Sequence, residues 1–478
     1  MKVCMILEGS YPYVQGGVSS WMHNYIKSFP DIEFILWCIS DKSSKKGKFK
    51  YDIPSNVIEI HELSLSDSLK LQGKRGKVNL TKDEYIELKN FISGEEVEWN
   101  TLFNLFQNKN MNPISLLMSK PILNILIDIC KENHDYIPFT DFFHTYRSML
   151  LPVLYIFSSD IPEADIYHST ATGYSGICGS IAKWKYNKPY ILTEHGIYTR
   201  EREEELLRAK WVLANFRQMW INLFVTLSNC AYDYADKVTA LFSRANKIQH
   251  ELGCSLDKLS VIGNGVNFER FQDIKLKEAD DYIDIAAIVR ISKIKDIKTL
   301  IYGFAEIHAK YSKVRMHVLG PVEDEDYYEE CLNLVKQLNL SNITFPGRVN
   351  IIEYLEKIDF TILTSISEGQ PLAILEAFAA RRPCIATDVG CCQELLYGDS
   401  NISSNEKVDN IGKAGIIVPP MSKDELAYAM QTLIESPELI KEMGIIASKR
   451  VDYFYRQEDS IKKYELLYKE VSDGWNRI

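Results

Sequence analysis

The sequence predicts an α/β chain built from two doubly wound parallel sheets, and three observations carry that expectation. Short β-branched or apolar runs alternate with amphipathic stretches of helical length. The chain has 478 residues, enough for about three domains of ~150 residues or two large ones. A charged stretch without strand character, "FERFQDIKLKEADDY" near 268–283, separates two such series and marks a domain boundary.

Taken in order, the first half offers "KVCMIL", "FILWCI", "DIYHST", "PYILTEH" and "DKVTAL" as strands. The second half offers "IDIAAIVR", "RMHVLG", "NITFPG", "DFTILTS" and "PCIATDV". Strand and helix in alternation mean parallel pairing with helices as crossovers. Between about 41 and 150 this rhythm breaks into a lysine-rich loop, "DKSSKKGKFK", a polar segment and helical patterns near 82–95 and 114–131, which read as an insertion. After "IIVPP" at 416–420 the chain turns helical and ends in "SIKKYELLYKEVSDGW". The expected division is therefore 1–275, with the insertion, then 276–455, then a terminal helix from 456 crossing back to the first domain. The two domains are expected to face each other across a ligand cleft.

Composition narrows the function. Apolar residues make up 46% and charged residues 25%, an ordinary folded composition. The formal charge of −10 has the wrong sign for general attraction to nucleic acid, so no nucleic-acid partner is expected and an anionic ligand must be caught locally. Ten scattered cysteines form no CxxC pair and no zinc spacing, which suits buried reduced thiols. The opening apolar run is only a strand long before Glu8, and no stretch reaches the ~18 residues of a membrane span, so a cytoplasmic protein is expected.

Four constellations bear chemistry. "EGSYPYVQGGVSSW" follows the first strand, and Gly16 and Gly17 open a helix where backbone can approach a phosphate. Arg290 and Lys295 follow the strand "IDIAAIVR", where two cations could neutralise a diphosphate. In "SEGQPLAILE", Glu368 precedes a helix that Pro371 would start at its first position, and Glu376 lies about one and a half turns in. The N–H groups over 369–372 (Gly369, Gln370, Pro371, Leu372) would then meet an anion with a carboxylate on each side. His168 and His195 stand on neighbouring strand ends and suit contact with sugar hydroxyls. By contrast, Asp324-Glu325-Asp326 reads as a solvated helix start rather than a metal site, and Gly173, Gly176 and Gly179 as a close helix contact.

The Arg290/Lys295 pair, "GNGV" at 263–266 with Asn264, and Glu368 to Glu376 resemble the retaining glycosyltransferases of family 4, which have the GT-B fold. "EGSYPYVQGGVSSW" and "TEHGIYTRERE" resemble the PelF-like subgroup that serves exopolysaccharide synthesis in biofilms, with its N-terminal insertion. The resemblance implies a UDP-hexose donor, UDP-glucose before UDP-N-acetylhexosamines, and transfer with retention to a sugar or growing polysaccharide. It implies that Arg290 and Lys295 hold the diphosphate with Gly16 and Gly17 opposite, and that Glu376 takes the ribose. Glu368 and the 369–372 amides would take the sugar and β-phosphate, and Gly347-Arg348-Val349 the uracil. No cofactor and no metal are implied, since cations and a helix dipole neutralise the leaving group. A membrane protein of the same pathway, at the inner face of the membrane, is the implied partner. Many family members carry a second histidine two residues beyond His168, where this chain has Thr170. The other readings are a non-catalytic scaffold subunit, disfavoured by the retained charged residues, and a UDP-sugar epimerase or hydrolase.

Overall fold

A computed structural model describes residues 1–14, 16–73, 78–134, 136–209, 212–398, 403–404 and 407–475. They form two compact units. The first comprises Met1–Ala240, Ala245–Val261 and the residues from Glu465 on; the second comprises Leu241–Arg244 and Ile262–Tyr464.

The first unit is built on a seven-stranded parallel sheet. From edge to edge its strands are Val57–Ser64, Glu33–Ser40, Lys2–Glu8, Ile166–Ser169, Tyr190–Glu194, Lys237–Ala240 and Leu259–Val261. Lys2–Glu8 is central, and Val3 to Leu7 are all buried, as a strand covered on both faces must be. Helices Tyr174–Tyr186 and Arg217–Tyr234 cover the sheet. Gly176 and Gly179 permit the close packing expected, since a Cβ there would fall 2.8 Å from the Ala231 Cβ and 2.3 Å from the Tyr190 ring.

The second unit repeats the pattern with six parallel strands: Ile343–Gly347, Val314–Leu319, Ile283–Ile288, Phe360–Leu363, Cys384–Thr387 and Gly415–Val418. Both sheets thus have the doubly wound order in which the third, second, first and fourth strands of the unit are neighbours. The expected α/β class with two doubly wound parallel sheets is the one found.

Two details differ from the expectation. The stretch 41–150 contributes a strand, Val57–Ser64, to the first sheet. The helical insertion proper is Lys82–Ser93, Trp99–Gln107, Pro113–Leu117, Lys120–Asn133 and Phe139–Phe157. It begins with a reciprocal cap, in which Glu84 N–H donates to Thr81 Oγ1 and Thr81 N–H to Glu84 Oε2. Its aromatic residues are buried with the first unit: Phe103 packs on Phe157 at 5.8 Å and on Trp184 at 5.9 Å.

The units also divide earlier than the charged stretch 268–283 suggested. Residues 262–282 are bonded into the second unit: Arg381 Nη2 donates to the Ile274 carbonyl at 2.7 Å, and Lys277 reaches Asp284 at 2.8 Å. The helix Gln457–Trp475 changes unit within its length, at Glu465. Among the described residues no helix is long and apolar enough to cross a membrane, and all ten cysteines are buried thiols.

Candidate functional site

In a doubly wound sheet, ligands bind outside the carboxyl ends of the strands where the order reverses. That point lies between Ile283–Ile288 and Phe360–Leu363 in the second unit, and between Lys2–Glu8 and Ile166–Ser169 in the first.

At the second unit's reversal the loop 289–296 and the loop 364–371 are sewn together. Ile366 N–H donates to the Ile294 carbonyl at 2.8 Å, and Thr364 Oγ1 to the Lys295 carbonyl at 2.9 Å. This seam places Lys295 Nζ 2.5 Å from Glu368 Oε1, with the two side chains 14% and 12% exposed. Ser365 Oγ donates to the same oxygen at 2.5 Å. Gly390 lies beneath this loop with φ +54°, and a Cβ there would fall 2.3 Å from the Glu368 carbonyl. Arg290 pairs with Glu323 on the open side, each side chain about half exposed. Both expected diphosphate cations therefore carry a carboxylate partner, one shielded and one open.

Around this pair stand the other expected residues. Gln370 Oε1 accepts from Asn264 N–H at 2.5 Å, and Gly263 packs on the same side chain. Asn264 is 6% exposed, yet its Oδ1 has no hydrogen-bond partner. Glu376 is the fifth residue of the helix Leu372–Ala379; burial raises its pKa, and Arg270 opposes the rise. Pro371 is the residue before this helix, with φ −74° and ψ 108°, rather than its first residue. Having no N–H, Pro371 also leaves only Gly369, Gln370 and Leu372 as donors in that run. Gly347 ends its strand with φ +73°, Arg348 is exposed, and Val349 packs beside the cluster of Ala286, Leu319 and Ile358. Asp324 caps the helix Glu325–Gln337 by accepting from Tyr327 N–H at 3.0 Å, as a helix start should.

The first unit's edge differs. Gly16 is extended, Gly17 begins the helix Gly17–Lys27, and a Cβ at either would meet nothing within 4 Å. The fold itself does not demand glycine there. His168 is 0% exposed, with Nδ1 2.7 Å from Tyr468 Oη and Nε2 2.8 Å from Thr193 Oγ1. Burial, with His195 nearby, pulls its pKa down to about 3. Placed among core residues with both nitrogens used, His168 does not offer the sugar contact expected of it.

His195 does. Its Nε2 has no hydrogen-bond partner, its ring meets Trp21 edge-on at 4.3 Å, and burial lowers its pKa to about 4, leaving a neutral imidazole. Glu8, at the end of the central strand, accepts from Tyr198 Oη at 2.8 Å and from Ser175 N–H at 3.1 Å. Burial raises its pKa against the pull of Arg202. Sequence reasoning passed over Tyr198 and Glu323 as site residues. Tyr198 lay inside the singled-out "TEHGIYTRERE", and Glu323 opened an acidic run that reads as surface.

Residues 283–436, the larger part of the second unit, match the family model described as "Glycosyl transferases group 1". Over more than half its length, residues 1–257, the chain matches the model described as "Domain of unknown function (DUF3492)", and it belongs to that family. A curated relative, MMP alpha-(1->4)-mannosyltransferase of Mycolicibacterium hassiacum, is 22% identical over 65% of this chain and 72% of its own. Among solved structures, Anabaena HepE in complex with UDP shares the fold with TM-score 0.62 at 15% identity, covering 98% of this chain and 100% of its own. Sucrose-phosphate synthase of Thermosynechococcus elongatus also gives 0.62, at 14% identity over 99% of both chains.

Proposed function

We propose that this chain transfers a hexose, glucose first, from its UDP-sugar to the hydroxyl of a carbohydrate acceptor in exopolysaccharide synthesis, with retention and without a metal. The observation that carries the donor half is the shielded Lys295–Glu368 pair at the sheet reversal, with Arg290 at its open side. An entering diphosphate draws Lys295 from Glu368 and Arg290 from Glu323. Glu368 is then released to accept hydrogen bonds from sugar hydroxyls. The unpartnered Asn264 Oδ1 and the carboxylate of Glu376 supply further acceptors for hydroxyls of the nucleotide sugar. The UDP held by HepE supports this choice of donor.

The chemistry follows from charge. The C1–O bond breaks with its electron pair moving to the UDP oxygen, and cations fixed there lower the barrier. The acceptor oxygen bonds to C1 on the same face, and its proton passes to that departing phosphate oxygen. His195, neutral and with Nε2 lacking a hydrogen-bond partner, bonds a sugar hydroxyl. Arg290, Lys295 and the amides of Gly369, Gln370 and Leu372 provide the neutralisation a metal would otherwise give.

Isothermal calorimetry with UDP, UDP-glucose, UDP-N-acetylglucosamine and GDP, first in EDTA and then in magnesium, tests the reading. The expected result is binding of UDP and UDP-glucose, but not GDP, in EDTA. Failure to bind any of them overturns it in favour of a scaffold subunit.

A further inference from the structure

The lysine-rich loop plays no part in the donor site, and its placement is specific. It leaves the carboxyl end of Glu33–Ser40, while the turn Leu65–Lys70 leaves the carboxyl end of the neighbouring Val57–Ser64. The two are knotted together. Ser43 N–H donates to Ser66 Oγ at 3.0 Å and Ser43 Oγ to Asp67 Oδ1 at 2.7 Å. Asp67 binds Lys46 at 2.8 Å and Lys70 at 2.5 Å.

Five lysines fall between 42 and 50. Lys45 pairs with Asp41 and Lys46 with Asp67, whereas Lys42, Lys48 and Lys50 are exposed with no carboxylate partner among the described residues. In the adjoining turn Leu65–Lys70, Leu69 projects into solvent, 76% exposed. Lys50 N–H donates to the Pro12 carbonyl at 2.8 Å, which fixes the loop to the Gly16–Gly17 segment. The patch thus shares the sheet edge that carries His195 and Glu8.

We propose that this surface, Lys42, Lys48, Lys50, Lys70 and Leu69, binds an anionic lipid bilayer. A chain of net charge −10 is repelled by such a surface unless cations are concentrated locally, as they are in this loop. A projecting leucine beside the cations fits an acyl boundary. It does not fit a soluble polyanion. Nucleic acid would call for free aromatic faces, yet Phe49 packs on Tyr13 at 5.9 Å and Tyr51 on Tyr11 at 5.2 Å. Bound this way, the first unit's carboxyl edge lies beside the bilayer, where a lipid-attached acceptor would be presented. The surface itself does not depend on the donor assignment.

The test is sedimentation of the full chain with vesicles of phosphatidylcholine alone and of phosphatidylcholine mixed with phosphatidylglycerol. Binding is expected only to the anionic vesicles, and should weaken as salt shortens the screening length below about 10 Å. The triple variant Lys42→Gln, Lys48→Gln, Lys50→Gln should lose about a hundredfold in partition, at about fivefold per lysine. Leu69→Ser should lose several-fold, while both variants keep the wild-type melting temperature and UDP affinity. Three outcomes overturn the proposal: no sedimentation with anionic vesicles at low salt, equal binding of the triple variant, or capture by heparin as strong as by vesicles and indifferent to Leu69.

Discussion

At the second unit's sheet reversal stand two cation–carboxylate pairs, Lys295 with Glu368 and Arg290 with Glu323. At the first unit's matching edge stand His195, held neutral by burial, and Glu8, whose pKa burial raises. The strand order is the same in both places, so topology does not explain the difference. Paired charges suit an anion that can replace one partner, and neutral donors and acceptors suit hydroxyls. Under the proposed function the diphosphate falls to the paired cations of the second unit and a sugar hydroxyl to His195 of the first, and each half can be broken by measurement.

The largest effect should come from Lys295→Ala. Removing one fixed donor from a leaving group costs about 2.7–4 kcal/mol, or 10²–10³ in rate. Product formation from UDP-glucose should fall by that factor, and calorimetry should show weakened UDP binding. Unchanged UDP affinity would remove Lys295 from the donor site. Next, Glu376→Gln should weaken UDP binding by about 10–100-fold, the loss of a charge-assisted hydrogen bond worth ~1.5–3 kcal/mol.

His168 and His195 sharpen the contrast within the first unit. His168→Asn should lower stability by about 1–3 kcal/mol, because Tyr468 and Thr193 lose buried partners, while UDP affinity is kept. His195→Asn should instead slow transfer with little change in denaturant midpoint. A folded stability equal to wild type for His168→Asn would show that the buried network is not what holds that histidine.

A smaller effect is a pH dependence. The folded pKa of His168 lies near 3, below its unfolded value of about 6.5, so the unfolded chain binds the extra proton between them. The stability His168 contributes is present above pH ~6.5 and is lost as pH falls, by up to about 1.4 kcal/mol per unit. Glu8 and Glu194, whose pKa values are raised by burial, act in the opposite sense over the acid range. The difference between wild type and His168→Asn isolates the histidine, and it should shrink from pH 6.5 towards 4. Smallest of all, Asp324→Ala should cost about 0.5–2 kcal/mol of stability through its lost helix cap, with UDP affinity unchanged.

In the two large sheets, the strands that sequence reasoning passed over share a position. Val57–Ser64 and Leu259–Val261 are the two edges of the first sheet, and Gly415–Val418 is an edge of the second. Edge strands are covered less completely, so Glu59, His61 and Glu62 interrupt the apolar run that marks a central strand. The glycine loops, the Arg290/Lys295 spacing and the Glu368-to-Glu376 helix start were legible because each is local. Pro371 was misplaced by one position, a difference that only the backbone angles decide.

By itself the sequence determined what short-range rules encode: buried strands from apolar runs, helices from their periodicity, loops from glycine, and charge from composition. Tertiary structure alone decided who meets whom. Lys295 and Glu368 are 73 positions apart, and His168 and Tyr468 are 300 apart. Strand order brings the first pair together at the second sheet's reversal and buries the second in a core. Burial then sets whether each group stays charged: both expected histidines are held neutral, one with both ring nitrogens bonded in the core and the other with Nε2 left unpartnered.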